Sequence, residues 1–100
     1  MPGSREDPRV AELRVAELRT AVSRLRRELA AHPADFPDRF FAEEELAALT
    51  AILTHGTPEP ARLRRSLLVI AGAIGSVSAL SGRLAEVRTA VEVFGQPART

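Results

Sequence analysis

The chain has 100 residues, of which 45% are hydrophobic but only 4% aromatic, and it contains no cysteine. This length allows one domain at most, and the lack of cysteine excludes disulfides, thiolate metal sites and thiol nucleophiles. The chain has 14 basic and 13 acidic residues, so its net charge of +1 does not indicate a polyanion partner.

The basic residues are all arginine, and both lysine and asparagine are absent. Arginine suits bidentate phosphate recognition, but beside abundant alanine, glycine and proline this usage is more typical of a GC-rich genome. Arginines outnumber acids seven to five in residues 1–33 and six to three in 57–100, whereas 34–56 carry one arginine and five acids. The polar opening MPGSREDP predicts no secretory signal, and together with the lack of cysteine it favours a cytoplasmic location.

The first helix is predicted over residues 8–31, after a disordered segment 1–6. Asp7-Pro8 supplies an N-cap and a proline at the first helical position, and His32-Pro33 ends the helix. Its apolar residues follow a heptad pattern typical of coiled coils and bundles: Ala11, Val15, Leu18, Val22, Leu25 and Leu29.

The second helix is predicted over residues 40–55, with Gly56 ending it. Three acids in its first turns complement the helix dipole: Glu43, Glu44 and Glu45. Its apolar stripe consists of Ala42, Leu46, Leu49 and Leu53. We expect the phenylalanines of the preceding loop region to close the end of the bundle: Phe36, Phe40 and Phe41.

The third helix opens at Thr57-Pro58 and meets no strong breaker before Gly95 and Pro97, so it is predicted over 58–94, with a disordered tail at 96–100. That helix would be about 55 Å long at 1.5 Å per residue, whereas a compact chain of this size has a radius of gyration of about 13 Å. Either the helix breaks near its glycines or the molecule is elongated.

The apolar stripe of the third helix changes direction at Ile74, Val77 and Leu80, where two steps of three residues follow one another. We therefore expect the second helix to pack antiparallel on its first half and the first helix to cover its second half. The two shorter helices would then lie end to end. In that arrangement three arginines of the first helix would approach the three glutamates of the second: Arg24, Arg26 and Arg27.

A second face of the third helix carries small residues spaced by fours and threes: Leu68, Gly72, Gly75, Ala79 and Gly82. Each glycine inside a helix costs about 1 kcal/mol relative to alanine, so three on one face predict close approach of another helix. The simplest partner is a second copy of the chain. The alternatives are a break near residues 72–75 and packing of the first helix in that groove.

No catalytic, cofactor or metal site is predicted, because no metal-ligand spacing or phosphate loop occurs and the serines lack a recognisably spaced base. His32 and His55 fall at helix C-termini, where they suit capping. The uncharged run 66–82 is too short and too rich in serine and glycine for a membrane span, so it predicts a buried helix. Two arginine clusters leave nucleic-acid contact as an alternative function, carried by Arg24, Arg27, Arg62 and Arg65.

Two overlapping stretches resemble a group of short actinobacterial proteins classed as a domain of unknown function. They are FFAEEELAALTAILTHGTPEPARLRR and LRRSLLVIAGAIGSVSALSGRLAEVRTAVEVFG, which together span residues 40–95. The resemblance implies a GC-rich source and a cytoplasmic location, and it brings no activity or functional residue. The sequence therefore predicts an all-α protein, a three-helix chain over 7–95 with a long C-terminal helix, packed as a homo-oligomeric bundle. Its expected role is a non-enzymatic interaction module.

Overall fold

The computed structural model of the chain describes residues 8–56 and 58–94. Over these residues the only regular elements are helices, which confirms the predicted all-α class. Four α-helices occur in chain order: α1 Pro8–Ala31, α2 Arg39–Thr54, α3 Pro60–Ile74 and α4 Ser81–Glu92. A short 3-10 turn, Ser78–Leu80, leads into α4. The predictions for residues 1–6, Asp7, Thr57 and 96–100 lie outside the described residues.

The four helices form an antiparallel bundle in which each helix packs on two neighbours. The contacting pairs are α1 with α2, α2 with α3, α3 with α4 and α4 with α1, which leaves α1 and α3 diagonal to each other. This is the up-down-up-down arrangement of a four-helix bundle. The predicted pairing of the second helix with the first half of the third, and of the first helix with its second half, is confirmed.

The predicted end-to-end placement of the two shorter helices is wrong. The loop over residues 32–38 reverses the chain, and α2 returns alongside the C-terminal half of α1. Arg19 of α1 donates to the carbonyl oxygen of Leu53 at 3.1 Å, and Arg26 donates to Thr50 Oγ1 at 3.2 Å. These two bonds hold the flank of α2 against α1.

The core is one continuous cluster of aliphatic side chains contributed by all four helices. The apolar stripes predicted for the first two helices are buried except for Ala11, which is half-buried. The fully buried side chains include Leu18, Leu25, Leu46, Leu63 and Val87. Ser66, which donates to Glu45 Oε2 at 2.6 Å, is the one buried polar residue in the described part of the chain.

The helix predicted over 58–94 is two helices, so the predicted count of three is wrong. α3 ends where the Gly75 N–H bonds to the Ala71 carbonyl at 2.8 Å, and Val77 then takes an extended conformation. A Cβ on Gly75 would collide with the carbonyl oxygen of Ala71. The backbone conformation at the C-terminus of α3 therefore requires glycine at this position. The break allows a radius of gyration of 14.4 Å, near the value for a compact chain of this length.

The phenylalanines do not all close the bundle as predicted. Phe36 packs half-buried against the core. Phe40 and Phe41 are 62% and 60% exposed, with their rings 5.9 Å apart in an edge-to-face pair. The prediction is wrong for these two. Ala42 is the residue of the first turn of α2 that faces the core, and Phe40 and Phe41 therefore point away from it.

The arginines and glutamates predicted to meet at the helix joint take other partners. Glu43 pairs with Arg39 of its own helix at 3.3 Å, and Arg24 lies 3.8 Å from Glu86 of α4. Arg26 and Glu43 line one depression between the helices without forming an ion pair, and Arg24 lies on the side of α1 that faces α4.

Candidate functional site

The five residues predicted to form a self-association face do not lie on one helix. All five are exposed, but Leu68 and Gly72 lie in α3, Gly75 caps it, Ala79 lies in the 3-10 turn and Gly82 begins α4. Their spacing of fours and threes therefore does not describe a continuous stripe. Packing of α1 against this surface, one of the alternatives, does not occur, since all five residues are exposed.

The glycines of this set have different surroundings. A Cβ added to Gly72 or Gly82 would meet nothing within 4 Å, whereas one added to Gly75 would strike the Ala71 backbone. Gly75 is thus explained by the break in the chain. Gly72 lies inside α3 with no neighbour that requires a glycine, so nothing within one chain accounts for the helix propensity that it costs.

The outward surface of the α2–α3 pair exposes large apolar side chains. Leu68 is 73% exposed and Val69 is 44% exposed, although leucine and valine are usually buried. We define the α2–α3 face by seven exposed residues of the two helices: Phe40, Glu44 and Ala51 on α2, and Arg65, Leu68, Val69 and Gly72 on α3. Leu68 lies at the α4 edge of this face, where it also lines the depression between α3 and α4.

Opposite charges lie at one level of the α2–α3 face. The 2.6 Å bond from Ser66 to Glu45 fixes the two helices in register. Because Glu44 and Arg65 adjoin these two residues, they lie at nearly the same height on neighbouring helices. Each is exposed, so the face carries an acid on one helix and a guanidinium on the other.

The four arginines predicted as polyanion contacts fall on two sides of the bundle. Arg24 and Arg27 lie on α1, and Arg62 and Arg65 lie on the diagonal helix α3. A single ligand cannot readily contact both pairs. On α1, two further arginines, Arg19 and Arg26, lie beside Arg24 and Arg27. These two are not among the four predicted polyanion contacts.

These arginines line an open depression of about 770 Å³ on the solvent side of α1, to which α2 adds Thr50; we call it the α1–α2 groove. It is bounded by four arginines and three hydroxyl residues: Arg19, Arg24, Arg26, Arg27, Thr20, Ser23 and Thr50. Sequence reasoning missed it because Thr50 is brought in by the pairing of α2 with α1. The run of arginines was the available signal, but Arg26 is two residues from Arg24 and one from Arg27, a spacing that does not set it on their side of a helix.

An alternating ion-pair network ties α4 to α1 beside this groove. Arg83 Nε donates to Glu28 at 2.8 Å and its Nη1 donates to Glu86 at 3.0 Å, and Glu86 in turn lies near Arg24. The hydrogen bond to Glu28 and the charge of Glu86 raise the pKa of the Arg83 guanidinium. Arg83 therefore stays charged at any physiological pH and keeps its two glutamates in place.

The two histidines make local contacts near the ends of their helices. His55 Nδ1 lies 2.7 Å from the Ala51 carbonyl at the end of α2, and the His32 ring packs edge-on against Phe36 at 6.1 Å. Over residues 8–56 and 58–94, no group of three or more histidines and acids is placed to hold a metal ion. Within the same ranges, no helix is long and apolar enough to cross a membrane.

The family of the chain follows from a match over nearly its whole length. Residues 3–95 match the family of unknown function DUF5955. The chain belongs to this family. No curated protein and no solved structure is significantly similar to it.

Proposed function

We propose that this DUF5955 protein is a non-enzymatic interaction module that self-associates through its α2–α3 face. The observation that carries the proposal is the exposed pair Leu68 and Val69 beside Gly72, a glycine with open space around it. Burying such apolar side chains is worth about 25 cal/mol per Å². A glycine at one end of the face lets a second backbone approach closely there.

The charges of the face select a second copy of the chain as the partner. A two-fold axis parallel to the helices lays α2 of one protomer on α3 of the other, so Glu44 meets Arg65 of the partner subunit twice. An axis across the helices instead sets Glu44 on Glu44 and Arg65 on Arg65, which is repulsive. The face is thus complementary to itself in one orientation.

The apolar residues supply most of the affinity in this arrangement. Exposed ion pairs contribute about 0–1 kcal/mol each and weaken as salt screens them. Burial of Leu68, Val69 and Phe40 does not depend on salt in that way. The dimer is therefore expected to survive high salt, and the charge pairs to fix its orientation.

The test is the solution mass by size-exclusion chromatography with light scattering, at low and high salt. The wild type is expected at about twice the chain mass of 10.8 kDa. Gly72→Glu places a charge in the face without a clash inside the chain, so it should yield a folded monomer. Gly82→Glu is the matched control. A Cβ at Gly82 also meets open space, but Gly82 lies on α4, outside the α2–α3 face. A monomeric wild type at high concentration contradicts the proposal.

A charge exchange tests the orientation. Glu44→Arg and Arg65→Glu should each weaken the homodimer by setting like charges opposite each other. An equimolar mixture of the two variants should form a heterodimer, since each new charge then faces its opposite on the partner. Native mass spectrometry distinguishes the species. Mixing can restore the dimer only if Glu44 and Arg65 meet between chains. If no heterodimer forms, this orientation is ruled out.

The second candidate function is nucleic-acid contact, which the arginines of the α1–α2 groove favour. It predicts that duplex DNA binds at low salt and is released steeply as salt rises. A gel shift with generic duplex DNA at low salt tests it, and no retardation removes it. The separation of Arg62 and Arg65 from the α1 arginines leaves a small contact surface for this role.

A cytoplasmic location in an actinobacterial cell is part of the same proposal. It is supported by the arginine-only basic residues and the absence of cysteine. Fractionation of the native host, with detection of the untagged protein, tests this location. Recovery in the secreted or membrane fraction contradicts it.

A further inference from the structure

We infer that the α1–α2 groove is a binding site for a compact oligophosphate, an anion with several phosphate groups in a short chain. The inference stands apart from self-association, because the groove shares no residue with the α2–α3 face.

The groove presents donors almost without acceptors. Its four guanidiniums carry no acceptor atom, and no acidic residue lines it. Thr20 and Ser23 are exposed on the same helix and add two hydroxyl donors. A concave surface of this kind favours an anion with many oxygen acceptors, and guanidinium binds phosphate in a bidentate manner.

The charges of the groove are largely uncompensated. Arg19 and Arg26 donate to neutral oxygens, the Leu53 carbonyl and Thr50 Oγ1, which orient the guanidiniums without cancelling their charge. Arg24 shares its charge with Glu86 at a separation of 3.8 Å. Arg27 has no hydrogen bond or ion pair with any residue of the described chain.

Part of the site is held in place before any ligand arrives. The Thr50 hydroxyl donates to the Leu46 carbonyl at 2.8 Å, which leaves its lone pairs to receive Arg26. Arg19 is likewise tied to the end of α2. Fixing two long side chains in the free protein lowers the entropy lost on binding.

The groove is short, and acidic residues lie beyond both of its ends. From Arg19 to Arg27 it spans about 12 Å of α1. Beyond Arg26 the neighbouring depression is lined by Glu43, and beyond Arg19 the next one is lined by Glu12. A continuous nucleic-acid backbone would pass these carboxylates, whereas a compact chain of phosphates fits between them.

The experiment is isothermal titration of the full chain with inorganic tripolyphosphate at low salt. Tripolyphosphate should bind at least tenfold more tightly than inorganic phosphate, because it engages more guanidiniums at once. Arg24→Gln combined with Arg27→Gln should weaken binding at least tenfold, and the fold should be kept because the only ion pair lost in the described chain is the 3.8 Å contact of Arg24 with Glu86. Arg64→Gln combined with Arg88→Gln is the matched control, which makes the same change in net charge outside the groove and should alter affinity less than twofold.

Several results overturn the inference. Equal weakening by the two double variants means that tripolyphosphate responds to net charge alone. Tighter binding of single-stranded DNA than of tripolyphosphate assigns the groove to nucleic acid instead, and equal competition by a polyglutamate peptide shows that phosphate is not selected. Circular dichroism and the solution mass of each variant, compared with wild type, keep loss of fold or of the dimer separate from loss of the site.

Discussion

Arg39 shows how much one side chain can contribute to the turn between two helices. Its guanidinium donates to four carbonyl oxygens at the end of α1 and in the following loop, at distances of 2.6 to 3.3 Å. It also pairs with Glu43, and only 17% of its side chain is exposed. The last carbonyls of a helix lack partners within the helix, and here a cation from α2 serves them.

We predict that Arg39→Gln lowers the free energy of unfolding by about 2 kcal/mol, since hydrogen bonds from a charged donor to partly buried acceptors are lost. For a chain of this size the melting temperature should fall by about 10 °C. Thermal unfolding followed by circular dichroism measures the change. Arg27→Gln, which loses no bond within the described chain, should stay within about 0.5 kcal/mol of wild type. Equal melting of all three proteins contradicts the capping role.

The sequence predicted what depends on single residues and their near neighbours, and missed what depends on helix pairing. The heptad spacing of α1 gave its buried face, because that face is set by the helix alone. The α1–α2 groove needs Thr50 from another helix, and no spacing along the chain indicates that contact. The exposure of Phe40 and Phe41 was missed for a similar reason, since aromatic residues are more often buried and only the packed bundle shows which way they face.

At the scale of elements, the change of direction in the apolar stripe at Ile74, Val77 and Leu80 was the signal for the break in the third helix. A continuous helix carrying that pattern would turn its buried face away from one partner as it met the next. Instead, α3 ends while it is packed against α2, and a separate helix, α4, packs against α1. The break itself was not predicted as the outcome, because proline, the strongest local sign of a helix end, is absent there.

The two glycines near this break should respond to alanine in opposite directions. Gly72→Ala should raise the free energy of unfolding by about 1 kcal/mol, because alanine favours the helix and its Cβ meets open space. Gly75→Ala should lower it, because the Cβ strikes the Ala71 carbonyl. Urea denaturation at concentrations where the chain is monomeric measures both. A stabilised Gly75→Ala would show that α3 can continue past its present end without cost.

For the whole molecule, the pairing of helices followed from the sequence but the path between α1 and α2 did not. The apolar stripe of the predicted third helix faces two directions, so its two halves required two partners. The two predicted earlier helices supplied them. Whether those helices lay end to end or side by side depended on the loop over 32–38. The bonds from Arg19 to the Leu53 carbonyl and from Arg26 to Thr50 show which, because they place the C-terminal half of α2 beside α1.

Since one aliphatic cluster includes residues of all four helices, the described bundle should unfold as a single unit. Leu49 of α2 is fully buried, so Leu49→Ala should lower the free energy of unfolding by about 2–5 kcal/mol. Amide hydrogen exchange in the interior of α4 should then speed up in proportion, although α4 is diagonal to α2. Leu68→Ala is the matched control, because this leucine is 73% exposed and its truncation in the monomer should change stability by less than about 0.5 kcal/mol. If the amides of α4 keep their protection while those of α2 and α3 lose it, the two helix pairs open separately, and the break between α3 and α4 divides the molecule into two cooperative units.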